Sequence, residues 1–267
     1  MTDAVALNYR QYSEEGPPML VLHGLFGSLS NWNWHARKWA EHFSVYVLDL
    51  RNHGASPHVE RMDYAAMAQD LERFLDDHGL DDCLLLGHSM GGKAAMRFAL
   101  DAPQRVRALV VADIAPVTYP AGEHDEIFAG LLAINLDIMR NRQQADGVLE
   151  EYVEDEQVRQ FLLSNLARDS DGQFHWRINL PVLDRSYDRL RDGIEATSTY
   201  EGPVLFLKGD KSDYINESHR DAVLERFPAA EVKVLKRAGH WLHAEKPESF
   251  NRLVDEFFRQ HEEVSGK

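Results

Sequence analysis

The sequence predicts an α/β protein built on a parallel sheet with helices on both faces, and three observations carry that reading. Short, wholly apolar runs recur at 19–22 (MLVL), 45–48 (VYVL), 83–86 (CLLL), 108–111 (ALVV) and 204–207 (VLFL). Strands that are apolar throughout, rather than alternating, belong to sheets covered on both sides. Amphipathic stretches fall between the runs, clearest at 64–78, 90–99 and 218–227, and this βα alternation makes parallel pairing the natural connection. With 267 residues, 44% of them hydrophobic, the chain is long enough to bury a sizeable core.

The first four runs lie before residue 112 and the fifth after 203. From 120 to 200 the text turns polar, rich in arginine and acids, and helical in pattern, as in DEIFAGLLAINLDIMRNRQQADGVLEEYVEDEQVRQFLLSNL. We expect a helical insertion over 120–200, lying across the strand ends and dividing the core into 1–119 and 201–267. Gly202-Pro203 marks the return to the sheet.

Composition narrows the setting. The single cysteine, Cys83, sits in an apolar run and has no partner for an internal disulfide, so it reads as buried packing and fits a reducing, cytoplasmic location. The opening MTDAVALNYRQYS has no basic segment followed by an apolar one, and the chain has no run of ~18 apolar residues, so neither export nor a membrane span is expected. Forty-four acidic residues against 29 basic leave a net charge of −15, which disfavours nucleic acid and anionic membranes as partners. Such a surface suits solubility, and equally a saline habitat.

The strongest chemical signal is LLLGHSMGG at 84–92, which sets Ser89 in a G-x-S-x-G between a strand and a helix. That context defines a nucleophile elbow: the serine takes a strained turn, and the flanking glycines remove Cβ atoms from the neighbouring strand and helix. Met90 then opens a helix, so its N–H faces a developing oxyanion. A second donor is expected from MLVLHGLFGS at 19–28, where the turn after the strand presents the Leu25 N–H. His23, at the strand end, reads as a loop brace. In KRAGHWLHAEKPESF at 236–250, His240 follows Ala-Gly in an exposed loop and reads as the general base in preference to His243, because an imidazole of ordinary pKa ~6.5 both accepts and returns the Oγ proton.

Taken in order, HGLFGS, DLRNHGASP, GHSMGG and AGHWLH resemble the α/β-hydrolase superfamily over essentially the whole chain. Together with VVADIAP at 110–116 and FHWRINLP at 174–181, they are similar to the YbfF-type esterases and a related mitochondrial α/β-hydrolase-domain protein. The resemblance implies a doubly wound, mostly parallel sheet of about eight strands with a helical cap, and hydrolysis of carboxylic esters or of thioesters such as acyl-CoA. It also implies loop-bracing roles for Asp49, Arg51 and Ser56. Dehalogenases and epoxide hydrolases of the superfamily use an aspartate nucleophile, and serine at 89 argues against both.

The third triad member is the departure. Many members place the acid after the strand that follows the insertion, as G-x-x-D, but in KGDKSDYI (208–215) that slot holds Ser212 and the nearest carboxylate is Asp213, one residue late. Asp113 stands at the carboxyl end of the strand beside the nucleophile strand, where some cap-bearing relatives carry their acid. The role requires only that a carboxylate accept the imidazole Nδ1–H. We therefore expect Asp113 to orient His240, with Asp213 and then Asp210 as alternatives and Ser212 as an accessory hydroxyl.

The expected chemistry is acyl transfer through Ser89, His240 and Asp113. No metal or other cofactor is expected, since the histidines lack ligand spacing and Gly24-Leu25-Phe26-Gly27 is no phosphate-binding pattern. Phe26, Trp176 and Trp241 are candidate substrate contacts, as are Phe128, Leu131, Leu132, Ile134, Phe161 and Leu162 of the insertion, although apolar residues at helical spacing also read as core. Two alternatives stay open at this point: a ligand sensor that retains a slow hydrolase site, and a serine hydrolase cleaving C–C bonds.

Overall fold

The computed structural model describes residues 3–195 and 198–262. The first half of the core runs β1 (Tyr9–Gln11), β2 (Pro18–Leu22), α1 (Asn33–Trp39), β3 (Ser44–Leu48), α2 (Tyr64–Asp77), β4 (Cys83–His88), α3 (Met90–Asp101) and β5 (Val106–Ala112). An insertion follows, with α4 (Asp125–Ala133), α5 (Arg142–Leu149), α6 (Glu156–Leu163), β6 (Leu166–Arg168), β7 (Phe174–Trp176) and α7 (Leu180–Arg191). The chain returns as β8 (Val204–Gly209), α8 (Arg220–Arg226), β9 (Ala230–Leu235), α9 (Leu242–Glu245) and α10 (Pro247–Gln260).

The sheet has the order β1-β3-β2-β4-β5-β8-β9, parallel throughout except for β1. Every one of the five apolar runs is a strand of it. Alternate residues feed opposite cores: Leu20 and Leu22 pack with α2, α3 and α8, while Met19 and Val21 pack with α1 and α10. Both faces are therefore filled by helices, which is why the inner strands carry no polar alternation.

Two expectations need correction. Among the described residues the main sheet has seven strands, not about eight. The N-terminal segment before β1 does not form a strand, because side chains take its backbone donors: Asp70 Oδ1 accepts the Val5 N–H (2.7 Å) and Ser56 Oγ accepts the Asn8 N–H (2.8 Å). Nor is the insertion wholly helical, since β6 and β7 form an antiparallel hairpin that pairs Leu166 with Trp176 and Arg168 with Phe174. Each hairpin strand has only three residues, too few for a period-two pattern to register.

The insertion is pinned to the core at several points. Lys93, on the first turn of α3 and 1% exposed, donates from Nζ to the carbonyls of Val117 (2.9 Å), Arg191 (3.0 Å) and Asp192 (2.6 Å). The first carbonyl lies where the chain leaves the sheet and the other two where α7 ends, so one ammonium holds both crossings. Burial pushes this ammonium down to about 7, and the Asp192 charge opposes the shift. Farther along, Asn179 Nδ2 donates to Asn52 Oδ1 (3.0 Å) and Asn165 Nδ2 to the Phe26 carbonyl (2.7 Å). Among the described residues no helix is long and apolar enough to cross a membrane.

Lys93→Met tests the pinning. It leaves three carbonyls without their donor while removing a desolvated charge, a net loss of about 2–4 kcal/mol, equivalent to roughly 5–15 °C in Tm for a chain of this size. Calorimetry would read this directly, and an unchanged Tm would show that the insertion is held elsewhere.

Candidate active site

The site forms where β4 and β5 end. At Ser89 the backbone passes from strand to helix in one residue, at φ 54° and ψ −122°, with its N–H donated to the Ala112 carbonyl (3.0 Å). The turn is tight enough that a Cβ at Gly87 would overlap the Gly91 carbonyl, and one at Gly91 would overlap that of His23. Glycine at these two positions is a requirement of close approach. Phe26 and Asp113 also take left-handed φ, 61° and 52°, so backbone strain is concentrated around Ser89.

A continuous hydrogen-bond chain runs from Asp113 to Ser89. His240, between β9 and α9, donates Nδ1–H to Asp113 Oδ2 (2.8 Å), which leaves Nε2 to accept from Ser89 Oγ (3.1 Å). Asp113 is fully buried, and it accepts further bonds from the Gly209 N–H (3.0 Å, on Oδ1) and from the Ser212 hydroxyl on Oδ2. Asp213 is exposed and its backbone carbonyl accepts from Asn216 Nδ2 (3.2 Å). Asp210 accepts from the Ala238 N–H (3.1 Å), and the Arg237 and Ala238 amides hold its carboxyl below the usual range. Both are loop residues whose carboxylates make no bond to His240.

The surrounding histidines act as neutral braces. His23 donates Nδ1–H to the Gly24 carbonyl (2.8 Å) and accepts the Leu50 N–H at Nε2 (3.0 Å), the bracing role its position suggested. His53 accepts the Phe26 N–H (3.3 Å) and bonds the Arg51 carbonyl, and burial drives it down to about 3. His88, also lowered to about 3 by burial and then by His240, bonds the His240 carbonyl through Nε2 (2.9 Å). His243 is buried and stacks on Trp32 with ring centroids 4.7 Å apart. Burial, followed by His88, His35 and His240, holds it well below the usual range.

The DLRNHGASP loop is braced as expected: Asp49 accepts from Leu29 N–H (2.7 Å) and Ala55 N–H (3.0 Å), and Ser56 donates to the Asp49 carbonyl (2.6 Å). Arg51 forms a buried pair with Asp70 (2.6 Å).

With the Phe26 N–H taken by His53, the neighbouring Leu25 N–H has no acceptor among the described residues. Met90 N–H, at the start of α3, lacks an intrahelical acceptor. A cavity of about 70 Å³ reaches Ser89 between Leu25, Phe26, Phe161, Leu162 and Trp241, and a more open groove of about 830 Å³ runs past His240 between the 118–123 and 211–219 segments.

Of the insertion candidates, Phe161 and Leu162 line this cavity. Phe128, Leu131 and Ile134 are core, and Leu132 is exposed. Trp176 is absent from the lining, because its place in the hairpin turns it against the larger core. Tyr214 escaped the sequence reading: its ring stacks on His240 at 4.1 Å, and its hydroxyl bonds Glu123. Its only signal was its place in KGDKSDYI.

A parallel sheet wound on both faces, with a serine elbow at the end of a central strand, defines a hydrolase scaffold, and the family model for the alpha/beta hydrolase fold matches residues 17–247. The chain belongs to that family. It is 41% identical over 244 residues to Esterase YbfF of Escherichia coli strain K12, across 91% of this chain and 94% of that protein. It is 40% identical over 248 residues to the sn-1-specific diacylglycerol lipase ABHD11 of Mus musculus, across 90% of this chain and 80% of the other. A solved marine microorganism esterase superposes with a TM-score of 0.93 at 38% identity, covering 95% of this chain and 100% of its own. The protein is thus an esterase-type hydrolase.

Gly91→Ala would force the elbow away from the β2 terminus, so we expect losses of stability and of ester turnover together, with the stability loss at or above the roughly 1–3 kcal/mol typical of overpacking. Near-normal Tm in this variant would show that the close approach relaxes at little cost.

Proposed function

We propose that the protein hydrolyses small-molecule carboxylic esters by acyl transfer, with Ser89 as nucleophile, His240 as base and Asp113 as the group that orients it. The observation that carries this reading is the hydrogen-bond chain from a buried Asp113 through His240 to a serine on a left-handed elbow.

In this mechanism Ser89 Oγ attacks the ester carbonyl carbon as His240 Nε2 takes the Oγ proton. The carbonyl electron pair moves onto oxygen, where the Leu25 and Met90 N–H groups receive it. Collapse breaks the bond to the alcohol, which leaves with the proton from His240. Water, deprotonated by His240, then attacks the acyl-serine and frees the acid. Asp113 holds the Nδ1–H throughout and stabilises the imidazolium. Ser212, bonded to the same carboxylate oxygen, fixes the acid's orientation. Residues 120–200 serve as the cap, with Phe161 and Leu162 supplying part of an apolar wall completed by Phe26 and Trp241. Acyl thioesters such as acyl-CoA are a second substrate class open to the same chemistry. The relatives, named as an esterase and a diacylglycerol lipase, support oxygen esters.

A fluorophosphonate should label Ser89 stoichiometrically, and Ser89→Ala should abolish both labelling and turnover of acyl p-nitrophenyl esters. Comparing those esters with acyl-CoA would separate ester from thioester preference. Asp113→Asn should cost up to about 10⁴ in kcat, the loss the same change causes in a serine protease, whereas Asp213→Asn should stay within about tenfold. A folded Asp213→Asn variant crippled beside a near-normal Asp113→Asn would reassign the acid.

A further inference from the structure

The two edges of the main sheet are finished differently. β1 ends one edge with three residues, whereas β9 ends the other with six, AEVKVL. Among the described residues nothing pairs with the outer side of β9. Its apolar side chains are open: Val232 is 55% and Val234 46% exposed, and both border a groove of about 610 Å³ against α8, where Leu224 is exposed as well. A long edge bearing apolar side chains invites strand addition, which proteins ordinarily deter with proline, a bulge or a charge. β9 has no proline and no register shift, and its charges come as one of each sign, Glu231 and Lys233.

Backbone direction and charge together select what covers this edge. The Leu235 carbonyl accepts the Asp210 N–H (3.1 Å) while Leu235 pairs with Gly209, so Leu235, Lys233 and Glu231 turn their backbone groups toward β8. Val232 and Val234, between them, turn theirs outward. An antiparallel strand bonds such an edge only with outward residues opposite outward residues. For a second copy of β9, the register that pairs most of the strand has Val232 opposite the partner's Val232, on a two-fold axis. That register sets Glu231 opposite the partner's Lys233, and Lys233 opposite the partner's Glu231, at the closely spaced positions of the ladder. It also sets Val234 opposite the partner's Ala230, so apolar residues meet on the α8 face and opposite charges on the other. Moving the axis to Val234 would place Lys236 against Val232, and moving it to Ala230 would place Pro228 there.

We propose that the protein forms a symmetric dimer in which β9 pairs antiparallel with β9 of a second copy, centred on Val232, joining two sheets into one. Val232 exchanges two backbone hydrogen bonds with the partner's Val232, and each Val234 N–H meets the partner's Ala230 carbonyl. A lone lysine would deter pairing at this edge, but Glu231, two residues earlier, converts Lys233 into a contact that selects one self-complementary register. None of residues 230–234 lines a cavity that reaches Ser89, so the interface stands independently of the chemistry proposed there.

Sedimentation velocity of the full chain over a dilution series tests this, with near-UV circular dichroism to check that each variant is folded. The wild type should be dimeric at the concentrated end. Val232→Pro removes an outward N–H and leaves the β8 ladder alone, while Lys233→Glu and Glu231→Lys each set like charges against each other, and all three should weaken association at least about tenfold. Two further arms read the register. The doubly exchanged Glu231→Lys/Lys233→Glu chain should dimerise like the wild type, and Glu231→Lys mixed with Lys233→Glu should form a heterodimer although neither associates well alone. A wild type that is monomeric at every concentration would overturn the interface. A dimer indifferent to Val232→Pro and to both charge reversals would place the contact elsewhere and overturn it too. Failure of the two charge-reversed chains to associate on mixing would overturn the Val232-centred pairing.

Discussion

The structure depends on one steric constraint: at Ser89 the chain must turn from strand to helix within a single residue, at a φ that side chains disfavour. Such a turn survives only when its surroundings over-determine it. Here the Ala112 carbonyl holds the Ser89 N–H, and the missing side chains of Gly87 and Gly91 let α3 descend onto β2 and β4. The register of β4 on β5 pairs His88 with Ala112, so Ser89 and Asp113 leave the sheet side by side. That adjacency brings Asp113 within hydrogen-bond reach of His240, while Ser212 occupies the slot after β8. The next strand then supports the carboxylate, through the Gly209 N–H and the Ser212 hydroxyl.

Around this turn the protein uses neutral groups for precision and keeps most of its charge outside. The chain carries a net charge of −15, yet His23, His53, His88 and His243 are all shifted by burial toward the uncharged ring. A neutral imidazole has one donor and one acceptor, so it fixes a loop by direction without the desolvation cost of an ion. His23 and His53 use both nitrogens in this way on the two sides of the Gly24–Gly27 turn, leaving the Leu25 amide free. The charges that do lie inside are matched: Arg51 with Asp70, and Lys93 with three carbonyls.

Much of this was legible in the sequence, and the failures have physical causes. The five apolar runs were readable because burial on both faces leaves no polar position in them. Ser89, His240 and the glycines carry signals because turns and close approaches restrict residue type. β1 was invisible: Tyr9, Arg10 and Gln11 are all exposed at the sheet edge, where pairing is a backbone matter and no apolar pattern is required. The β6–β7 hairpin fell below the length at which alternation can be recognised. Trp176 was misplaced because an aromatic in an insertion looks the same in sequence whether it faces a cavity or a core. The stacking of Tyr214 on His240, the three-way grip of Lys93 and the stacking of His243 on Trp32 are meetings of distant segments. Composition and spacing along one segment contain no record of them.

The pairing of β5 with β8 joins Leu109 to Val204, with the whole insertion looped out between them. Bringing such distant segments together is slow, because the chain loses its freedom before the contact rewards it. Within the insertion the contacts are local: β6 pairs with β7, and α4 packs on α5 and α7. Its two ends lie close together, where Lys93 binds both. Ser89 and Asp113 follow neighbouring strands, whereas His240 follows β9 at the edge of the sheet. The hydrogen-bond chain from Asp113 to Ser89 therefore draws on both sides of the insertion, and it is complete only where β8 and β9 close the sheet.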